Sequence, residues 1–163
     1  MRHEYRITKY NPRFRGVDGS FRGDEWTAFS DIGRKFAGRT LTKAEYARVE
    51  RLYLDALETF MKEAAVATLS IRDLETRGLT SAAAKIWKAK RILRAQDLRR
   101  FVTMALRKQV WARLEAPRRA FVHFGYDYYM YIGTSRDTSK AAETVEAAGL
   151  YVERVRSPYK RAA

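Results

Sequence analysis

The stretch from Thr42 to about Glu63 constrains the fold more than any other part of the chain. Tyr46, Val49, Tyr53, Leu57, Phe60 and Met61 recur at intervals that place them on one side of a helix. Thr42 stands three residues before Glu45 and ahead of this apolar run, the pattern of a capping box. Glu50, Asp55 and Glu58 take other positions around the same helix. A stripe of three rings and three other large apolar side chains needs a second layer to cover it.

The remaining chain supplies strands for that layer. His3 to Tyr10 alternates, with Tyr5 and Ile7 flanked by polar residues, until Asn11-Pro12 ends it. Val66 to Leu74 alternates through Leu69 and Ile71. Ala112 to Glu115, Ala120 to Phe124 and Tyr128 to Ile132 read as three strands, with turns at Pro117–Arg119 and Gly125–Asp127. Asp137 or Thr138 caps a short helix ending at Gly149, and Leu150 to Val155 reads as a last strand. From Thr80 to about Val110 the pattern is helical, interrupted near Gln96–Asp97. In its second half Leu98, Phe101, Val102 and Ala105 oppose Arg99, Arg100, Thr103 and Arg107 at ~100° per residue. Residues 11–39 form a long irregular stretch with too many apolar anchors, Trp26 and Phe29 among them, for a floppy linker. A chain of 163 residues fits one domain. The expected class is α+β, an antiparallel or mixed sheet with helices packed mainly on one face.

Charge is distributed unevenly. The chain carries 33 basic and 19 acidic residues, net +14, and residues 76–119 alone are net +11. Residues 41–75 are net −2. A concentrated positive field favours polyanions: nucleic acid, or an acidic protein. There is no cysteine, which removes disulfides and thiolate chemistry. The first ten residues lack the apolar run of a secretory signal, and nothing approaches the ~18 apolar residues of a membrane span, so a cytoplasmic chain without membrane contact is expected.

Three stretches, YRITKYNP at 5–12, DEWTAFSDIG at 24–33 and HFGYDYYMYIG at 123–133, together resemble a family of uncharacterised bacterial proteins of similar length. The likeness runs nearly end to end and implies a single compact bacterial domain. It carries no activity with it.

The function classes left open are three. The first is a non-enzymatic nucleic-acid-binding protein. Lys85, Lys88, Arg91, Arg94, Arg99, Arg100, Arg107, Arg118 and Arg119 would contact phosphates, and Tyr129 and Tyr131, on one face of their strand, would stack on bases. The second is an immunity or regulatory factor whose basic face meets an acidic protein. The third is an enzyme using the carboxylates Asp24, Glu25 and Asp31 beside Trp26, with His123. No nucleophile motif, phosphate loop or cofactor fingerprint accompanies them, so no cofactor is expected. His3 and His123 lack metal-ligand spacing, and no metal is expected.

Overall fold

The computed structural model describes residues 1–76 and 85–159. In chain order the elements are β1 (His3–Thr8), β2 (Lys35–Phe36), β3 (Arg39–Thr40), α1 (Lys43–Glu63), β4 (Thr68–Thr76) and β5 (Ile92–Arg94). Then follow α2 (Ala95–Leu106), β6 (Val110–Ala116), β7 (Ala120–Phe124), β8 (Met130–Thr134), α3 (Ser139–Ala147) and β9 (Tyr151–Glu153). The fold is α+β. Seven strands form one sheet in the order β5-β4-β6-β7-β8-β1-β9, every pairing antiparallel. A separate hairpin, β2–β3, sits within the long loop.

One face of the sheet carries the core. Ile7, Leu69, Leu93, Leu114, Val122, Met130 and Ile132 point to it and join one apolar cluster with the inner sides of all three helices. The Thr42 hydroxyl accepts from Glu45 N at 3.1 Å, so the expected cap forms. Glu45 does not complete the box by reaching back; its carboxylate accepts from Arg48 at 2.8 and 2.9 Å. All six residues of the expected α1 stripe are buried.

Trp26 is buried between Tyr46 and Tyr128, with ring centroids 5.2 and 5.1 Å away, so the long loop is part of the core. Phe29 stays half open, its ring edge-on to Tyr46 at 5.1 Å and 5.0 Å from the Arg107 guanidinium carbon.

Two expected elements are corrected. The segment read as helical before Gln96 is not helical at 88–94. Lys90 takes a positive φ of 67°, Lys90 N donates to Ile71 O, and Ile71 N donates to Arg91 O. Pairing with β4 outweighs local helix preference and makes β5 an edge strand. Thr80 to Ala84 of the same expectation lie outside the described residues. The strand expected from Tyr128 begins at Met130, because Asp127 and Tyr128 both adopt positive φ in the turn. Tyr128 can hold that conformation because its ring is buried and both its polar ends are bonded: its hydroxyl donates to Tyr46 and its carbonyl accepts from Tyr53. Among the described residues no helix is long and apolar enough to cross a membrane.

Candidate nucleic-acid interface

Among the described residues no helix packs on the opposite face of the sheet. Over β7, β8 and β1 the C-terminal segment crosses it. Ser157 Oγ lies 2.8 Å from His123 Nδ1, Ser157 N donates to Glu4 at 3.4 Å, and the Tyr159 ring packs 5.9 Å from Tyr131. Over β4 and β6 the side chains of Thr68, Ser70, Arg72, Trp111 and Glu115 stay partly exposed among the described residues. Alternation along β6 projects Trp111, Arg113 and Glu115 from this face, ~7 Å between successive residues. These three side chains line three adjoining depressions.

The first depression is aromatic, about 240 Å³, lined by Trp111, Phe124, Tyr126 and Tyr159 with Lys108 and Glu75. The second, about 540 Å³, is charged: Arg72, Asp73, Lys90, Arg113 and Glu115 line it. The third, about 290 Å³, is lined by Thr68, Ser70, Ile92, Glu115, Pro117 and Arg119. Taken together along β6 they are the candidate groove, the second and third sharing Glu115.

A β-bulge builds its middle. The register of β4 against β6 shifts between Arg72 and Glu75, and Asp73 takes a φ of 49°. The Asp73 carboxylate thereby accepts from Arg113 Nε at 2.8 Å, while Arg113 also reaches Glu115 at 2.9 Å. Arg113 is buried and balanced by these two carboxylates. Arg72 lies directly across from it in register. Arg72 Nε is buried and meets no acceptor among the described residues. A buried donor without an acceptor is costly.

The expected phosphate-contacting residues divide. Arg99 and Arg107 do not present a solvated face. Arg99 pairs with Asp55 at 3.3 Å and Glu58 at 2.6 Å, and Arg107 grips Glu50 through two bonds of 2.7 and 2.8 Å. Hydrogen bonding to Glu58 and to Glu50 raises the two guanidinium pKa values. They hold α2 to α1. Arg91 is similarly held by Asp97 at 2.9 Å and lies 5.1 Å from the Trp87 ring. Lys85, Lys88, Arg94, Arg100, Arg118 and Arg119 are exposed. Arg94 pairs in register with Thr68, which places it on the groove side, and Arg119 lines the groove. The sequence reading missed Arg72, Lys90 and Lys108. The polar positions of β4 were the available signal for Arg72.

The expected stacking rings are covered. Tyr131 is 7% exposed, and Tyr129 lies between Arg6 and Arg15, 5.5 and 5.3 Å from their guanidinium carbons. Those arginines share Glu153; burial works to raise its carboxyl, and their hydrogen bonds outweigh this and hold it below its usual value. The tyrosine ring that is exposed in this region is Tyr126, 71% accessible, which lines the same depression as Trp111.

The expected catalytic carboxylates are loop anchors. Asp24 accepts from Ala37 N at 2.7 Å, Glu25 from Lys9 Nζ at 2.7 Å, and Asp31 from Thr27 N and Ala28 N at 2.9 and 3.0 Å. Burial lowers the Lys9 pKa, and its ammonium lies 4.2 Å from both the Tyr10 and Trp26 rings. His123 is stacked on Phe121 at 4.3 Å under the C-terminal segment and does not line the depression that contains Asp24 and Glu25. Among the described residues no group of three metal-ligating side chains is placed to hold an ion. No protein-family model, curated protein or solved structure matches the chain.

Proposed function

We propose that this protein binds single-stranded nucleic acid along the open groove of β4 and β6, without catalysing a reaction on it. The observation that carries the reading is the buried Arg72 Nε, which meets no acceptor among the described residues, in a candidate groove that also holds Lys90, Arg119 and Lys108. These four cations have no ion pair among the described residues, whereas Arg99 and Arg107 do. Phosphate oxygens spaced along a strand supply what the four lack. A groove floored by side chains of a sheet and flanked by rings suits an unpaired strand better than a duplex.

Affinity must then depend on salt. For single strands the slope of log K against log salt is about −0.7 per phosphate neutralised, so four contacts give about −3 and roughly fiftyfold weakening from about 50 to about 200 mM. Fluorescence anisotropy with labelled oligothymidylate and oligouridylate measures it. Replacing Arg72, Lys90 and Arg119 by glutamine reduces the slope to about −0.7, whereas the same change at Arg136, Arg154 and Arg156 leaves it unchanged. Failure of both polymers to bind at about 50 mM salt overturns the reading and leaves an acidic protein as the occupant of the groove.

A further inference from the structure

The aromatic depression at the head of the groove has a chemistry of its own. Its volume, about 240 Å³, falls below the ~300–1,000 Å³ of pockets that take drug-sized ligands and suits one planar ring system. The Trp111 indole is fixed: its Nε1 donates to Phe124 O at 2.9 Å, and the Tyr159 ring stands against it at 6.1 Å and 63°. A second ring, Tyr126, is carried on the β7–β8 turn and is exposed although large and aromatic. A Cβ at Gly125, in the same wall, would lie 3.2 Å from a Tyr131 ring carbon and from the Tyr159 hydroxyl, so these neighbours pack closely on the backbone there. Lys108, held at a positive φ of 59° just after α2, places an exposed ammonium at this depression. An aromatic slot with a cation on one side, carried on the same strand as the charged depressions, matches the parts of a nucleotide: a flat base and the phosphate attached to it.

We infer that the Trp111–Tyr126–Tyr159 depression is a nucleobase slot, which takes one unpaired base while its phosphate meets Lys108. The inference rests on the nucleic-acid reading above and adds a recognition element to it: the groove supplies affinity for the backbone, and the slot distinguishes a strand with accessible bases from a bare polyanion. Base–aromatic stacking is worth roughly 1–3 kcal/mol per base, so one occupied slot gives a preference of about fivefold to a hundredfold.

The test compares a base-bearing oligothymidylate with an abasic oligonucleotide of equal length and charge, by anisotropy at about 50 mM salt. The wild-type chain should bind the base-bearing strand at least about fivefold more tightly. Tyr126→Ser, at an exposed position that the fold does not need, and Trp111→Ala should each reduce that preference while leaving abasic binding unchanged. Equal binding of the two strands by the wild-type chain overturns the slot and leaves the groove reading standing. Binding of neither strand overturns both. A preference that survives unchanged in Tyr126→Ser and in a folded Trp111→Ala also overturns the slot, because the base is then read elsewhere.

Discussion

Tyr53 and Tyr46 each meet Tyr128 edge-on beneath Trp26, and their hydroxyls are bonded to one another or to backbone. Burial pushes the Tyr46 hydroxyl up to about 12 and raises those of Tyr53, Tyr128 and Tyr10 as well. Below pH ~10 the hydroxyls are neutral in the folded and unfolded chains alike, and the cluster's contribution is fully present. Above pH ~10 the unfolded chain ionises first, so stability falls as pH rises through the folded value of Tyr46. The denaturation midpoint should therefore drop between about pH 8 and about pH 11, and phenolate absorbance should appear with unfolding rather than before it. A native-state titration of all ten tyrosines near pH ~10 would contradict this. Across the sheet, Phe121 lies over Gly133, its register partner on β8, and a Cβ at Gly133 would fall 2.1 Å from the ring. Gly133→Ala must displace Phe121, on which His123 stacks, and should cost about 1–3 kcal/mol in a urea melt.

At the scale of elements, α1 and α2 are joined by charge as well as by apolar packing. Glu50 is 6% exposed and depends on Arg107 for its two strong hydrogen bonds. Arg107→Met leaves that carboxylate buried without its cation and should cost about 1–3 kcal/mol, reduced from the fully buried case because Arg107 is 35% exposed. The double change Glu50→Leu with Arg107→Met should recover much of the loss, since no charge is then stranded; equal destabilisation by single and double variants in denaturant melts would rule the clamp out. α1 was legible in the sequence because its cap and its apolar period agree with its tertiary role. β5 was not. Lys-Ala-Lys-Arg-Ile-Leu-Arg at 88–94 carries a local preference for helix, and only backbone pairing with β4, invisible in sequence, makes its end a strand. The charge map had the same limit. The sequence located the basic segment, but not which arginines would find a carboxylate on α1.

For the whole molecule, the ion pairs between α1 and α2 turn a basic sequence segment into a more selective surface. With Arg99 and Arg107 held by the carboxylates of α1, Arg72, Lys90 and Arg119 remain without an ion pair among the described residues and line the depressions over β4 and β6. The candidate site was legible as a region of charge and rings, and illegible as a place: Tyr129 and Tyr131 drew notice by their density, yet the C-terminal segment and Arg15 cover them. Trp111 and Arg72 needed the register of β4 against β6 to be seen together. That geometry fixes the length of what can bind. β6 has seven residues and spans ~24 Å, and the groove follows it from Trp111 to Pro117 and Arg119. A groove of this reach belongs at the low end of the ~4–16 nucleotides that single-strand-binding surfaces cover. In a ladder of oligothymidylates the salt slope should steepen with length up to the groove's reach and then stay constant, because further phosphates extend past its last cation. Anisotropy titrations at several salt concentrations for each length read this directly. A slope that keeps steepening beyond about eight nucleotides would mean that phosphates also follow the outer side of α2 through Arg100, and that the groove is not the whole of the binding surface.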